Sequence, residues 1–124
     1  MLKDKDSSAI VAVSDIATAR GFYVDTLGID PVQDDQNMLV LQTGSTQLVV
    51  YVSDYAGTNR ANAAVWGVGE ELEAIVSALM GRGVNFEHYP DMGMAYAGGI
   101  HSKGGFKAAW LKDPDGNILH INNM

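Results

Sequence analysis

The sequence predicts an α+β fold in which a βαβββ module occurs twice within one domain, residues 1–124, with module 1 over about 7–55 and module 2 over about 62–124. Two observations carry that reading. A strand–helix pair recurs with the same internal spacing, and each copy is followed by strand-like runs with no second long helical pattern. The 47% apolar content of 124 residues supplies enough side chain to bury a core of that size.

The first copy starts at "AIVAVSD", a β-branched run from Ala9 that ends in a Ser14–Asp15 helix-start signal. Ile16, Ala19, Tyr23 and Leu27 then follow at helical spacing, closed by Gly28. In the second copy "AAVWGVGEE" runs into an acidic first turn, and Leu72, Ile75, Val76, Leu79 and Met80 share a helical face before Gly83. Val13 to Gly28 and Val68 to Gly83 are each fifteen residues, so the two strand–helix units match in length.

After the first helix, a short run near Ile29–Val32 precedes "NMLVLQT" and "TQLVVYVSD", a hairpin about Gly44 and Ser45. After the second, "GVNFEHY", "FKAAWLK" and "NILHIN" take the same parts. The last turn is "DPDG", where Pro114 presets φ, Asp113 and Asp115 reach local amides and Gly116 takes a positive φ. The segment from Pro90 to Gly105 is rich in Gly and Met and has no period, so it reads as a long loop.

Charge and composition exclude several functions. Eight basic against fifteen acidic residues give −7, which repels phosphate backbones and anionic membrane surfaces, so no nucleic-acid or membrane partner is expected. A small-molecule ligand, neutral or cationic, remains as the partner. Without cysteine there is no disulfide scaffold, thiolate nucleophile or Cys-based zinc site. "MLKDKDSSAI" has no apolar run of signal-peptide length and no later run approaches a membrane span, so cytoplasmic residence is the expectation.

The run "VSDIATARGFYVDTLGI", a second strand–helix unit and the terminal "LKDPDGNILHI" together resemble the vicinal oxygen chelate superfamily, which includes glyoxalase I, extradiol dioxygenases and bleomycin-resistance proteins. The resemblance covers nearly the whole chain. It implies two modules side by side, their sheets curving around a cleft with the helices outside, and a homodimer, in some members with swapped modules. It also implies that enzymes of the family hold a divalent metal in that cleft through His, Gln or Glu from the first and last strands of each module.

Carried over position by position, the family's first ligand position falls on Ser8 and its counterpart on Ala63, or Ala64 if the register slips by one. The third falls among Val49, Val50 and Tyr51, with Gln47 the nearby amide, and the fourth, usually Glu, on His120. One donor in four positions does not hold a divalent ion, so no metal and no other cofactor is expected. Glu87 or His88 with His101 and His120 offers a second metal set, though these residues lack a spacing that fixes two ligands on one element. Otherwise His88 reads as a strand residue near a sheet edge and His101 as a mobile loop residue.

In "NILHIN" Leu119 and Ile121 alternate with Ile118, His120 and Asn122, and the register implied by the resemblance points Leu119 and Ile121 at the helices and leaves His120 over the cleft. His120 therefore reads either as a buried histidine satisfied by a neighbour or as a group in contact with ligand, as donor or as catalytic base. Ser8, Ile10, Tyr51, Val65, Tyr96, Trp110 and His120 are the candidate ligand-binding residues, with Ala12, Gly67, Tyr89, Phe106, Met92 and Met94 around them. Trp66, Phe22 and Phe86 read as core.

Two functions follow. One is a metal-independent protein of the bleomycin-resistance type that binds an apolar, aromatic or cationic molecule. The other is a lyase, isomerase or dioxygenase-like enzyme of the same superfamily in which His120 acts as base or as the sole residue retained at a metal position.

Overall fold

The computed structural model describes residues 1–124, which divide into two compact units, Met1–Thr58 and Asn59–Met124. In the first unit β1 (Ala9–Val13) leads into α1 (Ile16–Arg20), which continues without a break as a π-helical turn over Gly21–Thr26. Asp15 caps the helix: its carboxylate accepts the Thr18 amide at 2.8 Å, and those bonds hold its pKa below the ordinary 3.8. The helix ends where Gly28, at φ 72°, lets the Ile29 amide return to the Tyr23 carbonyl.

Three strands complete the unit: β2 (Asp30–Asp34), β3 (Met38–Thr43) and β4 (Thr46–Val52). The sheet order is β1-β4-β3-β2, with β1 parallel to β4 and the remaining pairs antiparallel. Val11, Val13, Leu39, Leu41, Leu48 and Val50 alternate onto one face and are buried with Ile16, Ala19 and Tyr23 of the helix. This core is the period-2 and helical pattern of the sequence turned into contacts.

The second unit repeats the plan with one strand more. Its elements are β5 (Asn62–Gly67), a 3-10 turn (Gly69–Glu71), α2 (Leu72–Gly81), β6 (Ala95–Ala97), β7 (Ile100–Lys103), β8 (Phe106–Lys112) and β9 (Ile118–Asn122). The order is β5-β9-β8-β7-β6, with β5 parallel to β9. Leu72, Val76 and Leu79 bury the inner face of α2, whereas Met80, expected on that face, is exposed.

The stretch Pro90–Gly105 is not a loop throughout: it holds the β6–β7 hairpin, and β7 pairs in turn with β8. Gly98–Gly99 and Gly104–Gly105 form the two-residue connections, and all four have positive φ, which residues with a Cβ avoid. Conversely, "GVNFEHY" makes no ladder. Phe86 forms a single bridge with Leu111, and the Glu87 amide donates to the Trp110 carbonyl at 2.8 Å. Trp66, Phe22 and Phe86, expected in the core, are half-buried.

Candidate functional site

The register of the second sheet decides which side chains share a face. His120 lies opposite Trp110 on β8 and Val65 on β5, while Asn122 lies opposite Ala108 and Gly67. His101 on β7 faces Ala108, and Tyr96 on β6 faces His101. Because side chains alternate along each strand, Val65, Tyr96, His101, Trp110, His120 and Asn122 stand on one face. Leu111, Leu119 and Ile121 stand on the other, with α2, as the alternation of "NILHIN" requires.

Rings fill that face as a continuous row. Trp110 and His120 stack with centroids 4.7 Å apart, and His101 meets the other side of Trp110 edge-on at 5.1 Å. Tyr96 meets His101 edge-on at 4.8 Å, His88 stacks on Tyr96 at 3.9 Å, and Tyr89 closes on Trp110 at 5.5 Å. The depth of the row varies. His101 is fully buried and Trp110 and His120 are 6% and 9% exposed, whereas Val65 is 61% exposed and Tyr96 and Phe106 remain open.

Both buried imidazoles are held at Nε2. The Tyr89 amide donates to His101 Nε2 at 2.9 Å, and the Asn122 side chain lies 3.1 Å from His120 Nε2. At each ring Nδ1 is buried without a hydrogen-bond partner. Burial pushes both below the ordinary histidine value of 6.5: His101 has the nearby His88 acting in the same direction, while the Ala108 and Ala109 carbonyls oppose the shift for His101 and His120 respectively. Both rings are therefore neutral at pH 7.

The turn before β9 is held by one carboxylate. Asp113, itself buried, accepts the Asp115 and Asn117 amides on Oδ1 at 3.0 and 2.8 Å and the Asn117 side-chain amide on Oδ2 at 2.8 Å. Gly116, at φ 87°, closes it with a bond to the Asp113 carbonyl. "DPDGN" thus sets the start of β9 and with it the register that puts His120 beside Trp110.

Of the sequence-predicted site residues, Val65, Tyr96, Trp110 and His120 come together on the face of the second unit. In the first unit Ile10, 60% exposed, and Tyr51 share the outer sheet face with Ala12 and Val49, and Ser8 precedes β1, exposed. His101 is no mobile loop residue; it is walled in by Tyr89, Tyr96 and Trp110. His88 lies outside any strand, exposed and stacked on Tyr96. His101, Asn122 and Tyr89's main chain are the parts of the site that the sequence reading did not assign. Asn122 carried a signal, since it stands two residues after His120 and so on the same face.

Repeated strand–helix–sheet units, each with a covered and an open sheet face, define the class of fold. The chain belongs to the Glyoxalase/Bleomycin resistance protein/Dioxygenase superfamily, whose family model matches residues 7–121. Among curated relatives, a virulence protein of Salmonella typhimurium is 24% identical over 98% of this chain and 85% of its own length. Two solved structures share the fold: a bleomycin resistance determinant encoded on the transposon Tn5, at 18% identity and TM-score 0.71, covers 95% of this chain and 96% of its own. A lactoylglutathione lyase from Agrobacterium tumefaciens, at 13% identity and TM-score 0.74, covers 98% and 95%.

The residues present do not fit the metal that enzymes of this fold hold. Ser8 and Ala63 or Ala64, onto which the resemblance carries two of the family's ligand positions, offer no imidazole or carboxylate, and neither unit brings three His, Cys, Asp or Glu side chains together. The alternative set fails for a geometric reason: Trp110 stands between His101 and His120, and the Nε2 of each ring is already bonded. No helix is long and apolar enough to cross a membrane.

Proposed function

We propose that this protein is a metal-independent binder of a small planar molecule, apolar or aromatic, taken up on the ring-lined face of the second unit. The observation that carries the reading is the row Tyr96–His101–Trp110–His120, buried at its base and open at Val65, Tyr96 and Phe106. Flat rings stacked or edge-on to one another offer a matching surface to another flat ring. A cationic ring would add attraction to the faces of Tyr96 and Trp110.

Chemistry at His120 is the weaker reading. A general base needs a free lone pair within reach of the proton it takes. At His120 the Nε2 edge meets the Asn122 side chain and Nδ1 is buried. The bound state would be reached by stacking, with no proton transferred.

Calorimetric titration of the tag-free protein with a panel of aromatic, aromatic-cation and aliphatic compounds tests the proposal, with metal content measured on the same sample. Saturable binding confined to the ring compounds is expected, together with metal far below one per chain. Stoichiometric zinc, iron, nickel or manganese, or binding of aliphatic compounds alone, would overturn it.

A further inference from the structure

We propose that Asn122 is the positioning residue of this site: by donating from Nδ2 to Nε2 it fixes His120 as the neutral Nδ1–H tautomer and occupies the one lone pair through which the ring could accept a proton. The argument begins at the end of the Asn122 side chain that does not touch His120. The Met124 amide lies 3.1 Å from Asn122 Oδ1, and a backbone N–H only donates. That atom is therefore the oxygen, and the other end of the amide is NH2.

The NH2 lies 3.1 Å from His120 Nε2. Two N–H groups cannot share a hydrogen bond, so Nε2 carries no proton, and the neutral ring must carry its proton on Nδ1. Asn122 itself is held on both sides: its carbonyl accepts the Val68 amide at 2.9 Å, and its side chain is buried. Rotating the amide to rescue a proton on Nε2 would set its NH2 against the Met124 N–H. The lock therefore runs from main chain to amide to imidazole.

No charge competes with it. The ring lies between Val65 of β5 and Trp110 of β8, and nothing titratable on either strand bears on it. The nearest titratable group in the row, His101, lies beyond the indole and is locked the same way, by a main-chain N–H. Two imidazoles thus flank Trp110 as neutral rings. The inference deepens the stacking reading of the site, since it turns a residue type usually read as chemistry into a wall.

Long-range proton–nitrogen correlation spectra of the ¹⁵N-labelled full chain read the tautomer directly. Wild-type protein should show His120 with an unprotonated, downfield Nε2 and a protonated Nδ1. Asn122→Asp puts acceptor oxygens at both ends and should move the proton to Nε2 or charge the ring; Asn122→Ala, with nothing at Nε2, should give a mixture. An Nε2–H or mixed tautomer in the wild type overturns the proposal even if neither variant folds. So does a folded Asn122→Asp protein whose His120 spectrum is unchanged. The spectrum needs no ligand, so a failed ligand screen leaves this test standing.

Discussion

Trp110 stacks on His120 with ring centroids 4.7 Å apart and planes 25° from parallel, and His101 closes on the opposite side of the same indole. That contact is a reporter as well as a surface. A neutral imidazole leaves indole emission largely intact, and an imidazolium quenches it. In a Trp66→Phe background, the fluorescence of Trp110 should hold steady from neutral pH to below the ordinary histidine value of 6.5, because burial pushes both flanking rings down. Quenching that begins at or above that value would mean that at least one ring protonates as freely as in solution.

The same two rings set a pH dependence of stability. In the unfolded chain each takes a proton near pH 6.5, whereas in the fold burial holds both neutral to lower pH. Between those limits the unfolded state binds more protons, so stability rises with pH and is lost as pH falls from about 6.5 through the folded values. Urea midpoints across that range should decline toward acid, and His120→Gln should flatten part of the slope. The carboxylates held below their ordinary values by hydrogen bonds, among them Asp15, capped onto Thr18, and Asp34, paired with Arg20, act in the same direction but at lower pH. Their contribution is present above about pH 4 and fades only below it, so the two windows separate.

Asp113 should be the costliest polar residue to lose from the last turn. Its carboxylate satisfies two main-chain amides and the Asn117 side chain in a buried setting. Asp113→Ala leaves those donors unpaired and should cost about 2–3 kcal/mol by urea denaturation, with Asp113→Asn milder because one oxygen remains. A change under about 0.5 kcal/mol would mean that water replaces the carboxylate without loss.

How far the site could be read from the sequence follows from what each part rests on. The strand–helix pairs were legible because burial imposes periods of 2 and 3.6 on Val11, Val13, Ile16 and Ala19, and again on Leu72, Val76 and Leu79. The place of His120 was legible from the same alternation taken with the register that the family resemblance implies. His101 was not, because β6 and β7 are only three and four residues long and lie among glycines, a composition that reads as loop. The Gly98–Gly99 and Gly104–Gly105 pairs were nevertheless hairpin signals. "GVNFEHY" misled in the other direction: its strand-forming residues meet β8 only through the Phe86–Leu111 bridge and the Glu87 amide. The tautomer of His120 depends on the main chain of Met124, which no side-chain pattern records.

Val65 separates binding from folding. It is 61% exposed on the strand beside His120, so Val65→Asp should change stability by no more than about 0.5 kcal/mol. A carboxylate there would have to be desolvated beneath a bound ring, so calorimetry should show affinity for a neutral aromatic compound falling at least tenfold, about 1.4 kcal/mol. Undiminished affinity would place the ligand elsewhere on the protein.

Gly67 tests whether the Asn122 lock depends on close main-chain packing. It lies opposite Asn122 in the β5–β9 register, and a Cβ there would meet the Met124 carbonyl oxygen at 2.9 Å and Asn122 Oδ1 at 3.7 Å. The first distance is too short for a methyl group, and its neighbour is backbone, which cannot rotate aside as a side chain would. Two bonds hold that segment in place: the Gly69 amide to the Met124 carbonyl and the Met124 amide to Asn122 Oδ1. Gly67→Ala should therefore displace Met124, release the oxygen that orients the Asn122 amide and destabilise the fold by about 1–3 kcal/mol, the usual cost of overpacking. Its proton–nitrogen spectrum should also show the His120 tautomer becoming mixed. A Gly67→Ala protein that is less stable yet keeps a pure Nδ1–H ring would mean that Asn122 holds its orientation without Met124.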